Sequence, residues 1–155
     1  MMDYTIAVET VQPRILAAAR RRVTSVQVPT AFRAPLDAVW TYLGNHPGLR
    51  TDGCNVFLYH HTAGHPVTGM DVDFGVEVTR RFAPEGDITC VETPGGRAAV
   101  VVHRGSYSRI GAAHGALQRW CNDNGHRIGP CSWEIYGDWS DDESKLVTTI
   151  VYALA

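Results

Sequence analysis

The 155-residue sequence lacks any run of about 18 consecutive apolar residues, so we predict no membrane-spanning helix. It also lacks a strong excess of either charge, since the formal net charge is −2 and charged residues make up 19% of the chain. Because nucleic-acid-binding domains usually carry a strongly basic face, we expect no direct nucleic-acid partner. The first nine residues contain acidic but no basic side chains, which is unlike a signal peptide.

Reactive motifs are also scarce. The four cysteines form no C-x-x-C pair, and without an export signal we expect reduced thiols in a cytoplasmic protein. The sequence has no G-x-S-x-G motif and no glycine-rich phosphate loop, which argues against a serine hydrolase of that type and against a nucleotide site. His60, His61 and His65 are close in sequence, but adjacent strand residues point to opposite faces, so we predict no metal and no cofactor. The basic run 20–22 is interpreted as a solvated strand end, with an anion contact as the alternative.

The sequence does contain a repeat of itself. The pattern N-x-x-G-x-R-x-x-x-C-x-x-x-x-Y occurs twice, with the two copies 77 positions apart. The first copy consists of Asn45, Gly48, Arg50, Cys54 and Tyr59, and the second of Asn122, Gly125, Arg127, Cys131 and Tyr136. We predict one domain, 1–155, with a first repeat of about 1–83 and a second of about 84–155. The equivalent positions of Cys54 and Cys131 favour a packing role for these thiols.

Each copy has one amphipathic helix, because apolar residues recur at spacings of three and four. The two apolar stripes consist of Leu36, Val39, Trp40 and Leu43, and of Ile110, Ala113, Leu117 and Trp120. Pro35 suits a first helical position, Ser106 is a candidate N-cap, and Gly125 is a candidate helix end.

Strand patterns surround both helices. Apolar and polar residues alternate over 71–78, which predicts a strand with one buried and one wet face. The run 97–103 is nearly all apolar and predicts a buried central strand, and 146–154 is rich in β-branched residues. We therefore predict an α+β fold with eight mainly antiparallel strands in two pseudo-twofold-related repeats and two long helices on one face.

The strongest candidate for function is Glu134, in the predicted strand 132–136. Glu134 and Tyr136 share one face of that strand, and the repeat maps them onto Phe57 and Tyr59. A carboxylate among aromatic rings is costly to bury unless something compensates its charge. A cationic ligand would do so, and each aromatic face would add about 0.5–2 kcal/mol. The alternative is that Glu134 pairs with an arginine or lies on an exposed edge.

The second half of the chain also carries a recognisable series of motifs. The segment 103–107 reads H-R-G-S-Y, a helix then reaches Trp120, and 129–136 reads G-P-C-S-W-E-I-Y. This resembles the GyrI-like small-molecule-binding domain, which is also the effector-binding domain of multidrug-sensing and AraC-type bacterial transcription regulators. The specific motifs run from about Gly96 to the C-terminus. The sequence departs from the family at Ser106, where proline is common.

The resemblance implies paired βαββ units around a central pocket. It also implies that Glu134 meets cationic drugs and that Tyr107 and Tyr136 are the family's tyrosines. No helix-turn-helix segment accompanies the two repeats, so we expect a stand-alone member. The ligand-binding candidates are Glu134, Tyr136, Tyr107, Phe57, Tyr59, Trp40, Trp120 and Trp139. The first two tryptophans lie on helix stripes typical of a core, and Trp139 is expected at the pocket rim or in solvent.

Three functions follow from these expectations. The first is binding of apolar, often cationic small molecules in drug sensing or sequestration. The second is hydrolysis of cyclopropane-bearing genotoxins, an activity of some stand-alone members that this sequence resembles. In that case Glu134 and Tyr107 would be catalytic, with a raised pKa allowing Glu134 to act as a general acid or to position water. The third, which follows a family precedent, is protection of DNA gyrase by protein contact.

Overall fold

The computed structural model describes residues 4–65 and 68–155. The strands within them are β1 (Ile6–Val11), β2 (Ile15–Val23), β3 (Arg50–His65), β4 (Gly69–Val78), β5 (Ile88–Glu92), β6 (Gly96–Arg104), β7 (Ile128–Tyr136) and β8 (Val147–Leu154). The helices are a single turn, α1 (Val28–Ala31), and two long helices, α2 (Arg33–Gly44) and α3 (Ile110–Asp123). This arrangement confirms the predicted α+β class with eight strands and two long helices. In the described residues, no helix is both long enough and apolar enough to cross a lipid bilayer.

All strands form one antiparallel sheet with the order β1-β6-β8-β7-β3-β4-β2-β5. The order is symmetric about the central β3–β7 pair when each strand of one repeat is matched to its counterpart in the other. The outermost strand of each half is exchanged, because β1 pairs with β6 and β5 pairs with β2. Each repeat therefore completes the other's half of the sheet, and the sequence pattern did not reveal this exchange.

The pseudo-twofold axis passes through the middle of the central strand pair. In the β3–β7 ladder, Phe57 lies directly opposite Glu134. These two residues are also 77 positions apart, so the repeat relates each of them to the other. The sheet order and the repeat spacing together place the best sequence motif at the axis.

The sheet is strongly curved, because its two edges meet at one end. Only three residues, 12–14, join the edge strand β1 to β2, which lies next to the opposite edge, so the two ends of the sheet are close together. The concave face is buried by contacts among strand residues alone within the described chain. Its core residues are Leu16, Val56, Leu58, Ala98, Trp133, Val151 and Ala153.

Two strand expectations are corrected by the structure. β4 was expected to have one wet face, but Asp73 on that face is 0% exposed. Arg20 and His60 cover Asp73, whereas the side chains of Asp71 and Glu77 on the same face are each 27% exposed. The apolar run of β6 was expected to be central, whereas β6 lies second from an edge beside β1.

Both long helices pack on the convex face, in two separate cores. The helix α2 buries Leu36, Val39 and Leu43, whereas α3 buries Ala113 and Leu117. Helix boundaries follow the predicted signals in the second repeat. The Ser106 hydroxyl accepts from the Ser108 amide before the turn Tyr107–Arg109 that leads into α3, and Gly125 has φ +72° just after its end. Pro35 is the third residue of α2 and not the first, because α1 leads directly into that helix.

Candidate ligand-binding site

Glu134 lies on β7 and faces the helical layer. It is 5% exposed, and its carboxylate accepts hydrogen bonds from three side chains. Tyr59 and Tyr136 donate to Oε1 at 2.5 and 2.6 Å, and His114 Nε2 donates to Oε2 at 2.7 Å. A buried carboxylate with this many donors is stabilised in its ionised form. Neither alternative reading holds, since Glu134 is neither on an exposed edge nor paired with an arginine.

The pKa of Glu134 is lowered. Burial by itself raises the pKa of this carboxyl group, but the hydrogen bonds from His114, Tyr136 and Tyr59 outweigh burial. The expectation of a raised pKa is therefore wrong, and a general-acid role for Glu134 at neutral pH is removed with it. The sequence predicted the burial of the carboxylate but not its three donors.

The two tyrosines remain protonated over the neutral range. Burial and the nearby Glu134 charge raise the pKa of Tyr59 and of Tyr136 well above 10.0. A phenol that keeps its proton is always available as a donor. Glu134 therefore retains both phenolic hydrogen bonds at every neutral pH at which its carboxylate is ionised.

Hydrogen bonds that involve Tyr152 and Gln118 orient His114. Its Nδ1 lies 2.6 Å from Tyr152 Oη, and Gln118 Nε2 donates to the same oxygen at 3.0 Å. The hydrogen-bond partners of the two ring nitrogens indicate where the imidazole proton lies. A neutral imidazole with its proton on Nε2 lets Tyr152 donate to Nδ1 and leaves every group with a partner. No lysine or arginine side chain of the described residues takes part in this network.

Aromatic side chains surround this carboxylate, as the repeat predicted. The ring of Phe57 meets the ring of Tyr136 edge to face at 4.8 Å, and Tyr107 meets Tyr136 in the same way at 5.5 Å. Tyr107 is exposed, so it forms the solvent side of the group. Five of the predicted residues thus lie together, namely Glu134, Tyr136, Tyr107, Phe57 and Tyr59.

The tryptophans are distributed differently. Trp40 Nε1 donates to Asn55 Oδ1 at 3.1 Å, and Asn55 is paired with Tyr136 in the ladder, so Trp40 lies at the α2 edge of the group. Trp120 stacks on His126 at 5.3 Å near the end of α3, and Trp139 is 71% exposed in the β7–β8 connection. Neither of these last two contacts Glu134. Trp120 packs against the core of the second repeat, as the helix stripe predicted. Trp139 was expected at the pocket rim or in solvent, and it lies in solvent.

The histidine of the H-R-G-S-Y segment is structural. His103 is buried, its Nε2 donates to the Ser106 carbonyl at 2.9 Å, and its Nδ1 lies 2.9 Å from Tyr4 Oη. These bonds attach the end of β6 to the loop that precedes Tyr107 and to the segment before the exchanged strand β1. His103 therefore helps to hold Tyr107 in position without contacting Glu134.

Sequence reasoning missed His114, Gln118 and Tyr152. Two signals pointed to them. His114 and Gln118 are four residues apart on α3, and Tyr152 shares a strand face with Ile150, which pairs with Glu134. His61 also belongs to this side, because its Nε2 lies 2.7 Å from Ser132 Oγ and its ring stacks near that of Tyr152.

Metal binding has no support in the described residues, which contain no group of three or more His, Cys, Asp or Glu side chains arranged around a common point. His60 and His61 point to opposite faces as expected, toward Asp73 and Ser132. The side chain of His65 lies outside the described set.

Glu134 is 5% exposed, so neighbouring side chains cover its carboxylate almost completely in this conformation. A surface depression of about 300 Å³ lies elsewhere, between the end of α2 and the β4–β5 connection. It is lined by Tyr42, His46, Gly48, Leu49, Arg80, Arg81 and Phe82. A molecule bound at Glu134 therefore has to displace a side chain, and Tyr107 is the exposed one.

Comparison with known proteins gives the same fold and a family. The model of the GyrI-like small molecule binding domain matches residues 4–154. No curated protein sequence matches the chain. The crystal structure of the EcmrR C-terminal domain is 25% identical, with a TM-score of 0.82 and 99% of each chain covered. In the EcmrR–DNA complex the identity is 24% and the TM-score 0.78, and 97% of this chain covers 57% of the EcmrR chain.

More distant structures share the fold alone. A hydrolase encoded by lin2189 from Listeria innocua is 10% identical, with a TM-score of 0.63 over 97% of this chain and 91% of that one. SAV2435 bound to tetraphenylphosphonium is also 10% identical, with a TM-score of 0.65 over 99% of this chain and 94% of that one.

Proposed function

Because the chain belongs to the GyrI-like family of small-molecule-binding domains, we propose that it binds apolar, positively charged molecules at Glu134. One observation carries the proposal: a buried, ionised carboxylate is surrounded by aromatic rings and accepts hydrogen bonds from two phenols and an imidazole. The role this gives the protein is sensing or sequestration of such compounds.

The charge of the ligand follows from the hydrogen bonds of the site. Burying a carboxylate without a counter-charge is costly, even when its oxygens are hydrogen-bonded. Among the described residues, no lysine or arginine forms an ion pair with Glu134. A cation entering beside the carboxylate supplies the missing counter-charge, and an anion of the same shape meets repulsion.

The shape of the ligand follows from the rings. The ring of Tyr136 is in edge contact with the buried Phe57 and with the exposed Tyr107. Turning the exposed Tyr107 outward uncovers Tyr136 and gives a path to the carboxylate. A flat or multi-ring cation then replaces the ring contacts that Tyr107 gives up, and the aromatic faces add about 0.5–2 kcal/mol each. The tetraphenylphosphonium complex of SAV2435 is a precedent for an aromatic cation on this fold.

Tetraphenylphosphonium and tetraphenylborate provide a matched test, because they have nearly the same shape and opposite charge. We expect calorimetric titration of the wild type to show binding of the cation and little binding of the anion. Glu134→Gln should weaken cation binding by at least about tenfold, which corresponds to 1.4 kcal/mol. The exposed Glu143 offers a control, and Glu143→Gln should bind like the wild type. Equal affinities of wild type and Glu134→Gln for the cation would refute the role of Glu134.

A second candidate is hydrolysis of strained electrophiles such as cyclopropane-bearing genotoxins. The observation that favours it is the ionised Glu134 beside His114, because a carboxylate that is oriented in this way can position a water molecule for attack. The exposed Tyr107 hydroxyl would then protonate the opened ring carbon. Incubation with a cyclopropane-containing genotoxin and mass analysis decides this, and a compound recovered without added water at high enzyme concentration would exclude it.

A further inference from the structure

A second cluster of reactive groups lies on the sheet face opposite Glu134. His60 follows Tyr59 in β3 and therefore points to the concave side. Its Nε2 lies 2.6 Å from Asp73 Oδ2, and its Nδ1 lies 3.8 Å from Cys131 Sγ. The three side chains come from β3, β4 and β7, and they form a chain from carboxylate to imidazole to thiol.

The carboxylate end of this chain is held rigidly. Asp73 is buried, and Arg20 donates to both of its oxygens, from Nε at 2.9 Å and from a terminal nitrogen at 3.0 Å. The terminal nitrogen of Arg20 also lies 3.1 Å from His60 Nε2, so Asp73 holds both cationic groups. Beside them, Arg22 is paired with Asp71. The imidazole thus has one fixed orientation, with Nδ1 directed at the sulfur.

The hydrogen bond that His60 donates to Asp73 is the main cause that raises the pKa of His60 to about 9, with Cys131 adding to it and burial opposing it. The imidazole is therefore protonated at neutral pH, and its Nδ1–H points at Cys131. Cationic hydrogen-bond donors stabilise a thiolate, which is the nucleophilic form of cysteine.

We propose that Cys131 is a nucleophilic thiol that captures soft electrophiles such as α,β-unsaturated carbonyl compounds, with His60 as its proton partner and Asp73 as the positioning residue. The thiolate attacks the β-carbon, so a carbon–sulfur bond forms as the carbon–carbon π bond breaks. The electron pair moves to the α-carbon, which takes the proton from His60 Nδ1. The products are a thioether and a neutral imidazole, and no oxidant, metal or water is consumed.

The repeat supplies an internal control for this reaction. Cys54 occupies the position equivalent to Cys131 and is half-buried like it. The residue equivalent to His60 in that copy is Gly137, which has no side chain to offer a proton. Burial raises the pKa of the Cys54 thiol. The two thiols therefore have equivalent strand positions, and only Cys131 has an imidazole beside it. A packing role, which was expected for both cysteines, does not need that imidazole.

The test is alkylation by acrylamide, with the rate at each cysteine measured by peptide mass spectrometry between pH 6 and pH 8. At pH 6.5 we expect Cys131 to react at least about tenfold faster than Cys54. The rate at Cys54 should rise by about tenfold per pH unit, because the thiolate fraction rises in that way below the thiol pKa. The rate at Cys131 should change much less over the same range.

Two variants complete the experiment. His60→Gln should reduce the Cys131 rate to that of Cys54 and restore the steep pH dependence, while the Cys54 rate stays unchanged. Cys131→Ser should remove the fast phase of mass uptake from the intact protein. Equal rates and equal pH slopes at the two thiols of the wild type would overturn the proposal, and this comparison needs no substitution. A His60→Gln protein that keeps the fast reaction at Cys131 would overturn it as well.

Discussion

Tyr59 and Tyr136, which occupy equivalent positions in the two repeats, donate to the same carboxylate oxygen of Glu134. The pseudo-twofold axis passes between Phe57 and Glu134 and places Tyr59 and Tyr136 on the same sheet face, on opposite sides of the axis, from which both hydroxyls reach Oε1. Duplication thus provided two phenols at the axis, and a single difference at the central pair provided the charge. The equivalent residue in the first repeat, Phe57, became part of the aromatic wall.

Removing one of the two phenols should destabilise the protein. In Tyr59→Phe the carboxylate loses a buried donor, and the cost of such a loss is about 1–3 kcal/mol. Tyr136→Phe should have a similar effect, because the two bonds are equivalent. Urea unfolding at pH 7 gives both values. A change below 0.3 kcal/mol, an amount about the size of additivity errors, in both variants would contradict the importance of these bonds.

Acid should lower the free energy of unfolding by protonating Glu134. The pKa of Glu134 in the folded protein lies below the value of 4.5 that applies in the unfolded chain. Its contribution to the free energy of unfolding is therefore complete above that value and is lost as pH falls through the folded pKa. We expect the difference in unfolding free energy between wild type and Glu134→Gln to shrink over this range. A constant difference from pH 7 to pH 3, a span of about four pH units, would show that the carboxylate is not stabilised by its donors.

Alkali should weaken the protein through His60. Its pKa is raised from 6.5 to about 9 in the folded state, so its contribution is complete below 6.5 and is lost as pH rises through about 9. The imidazole resonances in NMR spectra should titrate near the raised value and disappear in His60→Gln. Urea unfolding of the two proteins should converge at high pH. Titration of His60 near 6.5 would show that the pair with Asp73 is absent in solution.

Truncating a large side chain in the concave core should destabilise the protein as much as such a change in the convex core. Trp133 is 2% exposed on that face, although the described helices pack on the other side of the sheet. Truncation of a buried aromatic residue costs about 3–5 kcal/mol, so Trp133→Ala should be strongly destabilised. Trp139 is 71% exposed and provides the control, since Trp139→Ala should change stability by less than about 0.5 kcal/mol. Thermal unfolding compares the two, and equal effects would mean that the concave face is open to water.

Local patterns in the sequence were sufficient for the class of fold. Helical periodicity found α2 and α3, alternation found β4, and apolar or β-branched runs found β6 and β8. The 77-residue spacing placed Phe57, Tyr59, Glu134 and Tyr136 on one face. The same reasoning misjudged Asp73, which occupies a position where alternation predicts solvent. Alternation describes only the neighbours along one strand, whereas the burial of Asp73 depends on Arg20 and His60, which lie on the two adjacent strands.

The sequence by itself determined that a carboxylate would lie among aromatic rings at the symmetric centre of the molecule. Strand alternation shows within a few residues which side chains share a face, and the duplication is visible as one residue pattern that occurs twice. Only the tertiary structure decided the chemical state of that carboxylate. His114 approaches it from a helix and Tyr59 from a strand 75 residues away. Contacts between distant segments depend on how strands are exchanged and how the sheet curves, and no short pattern of residues records either of these.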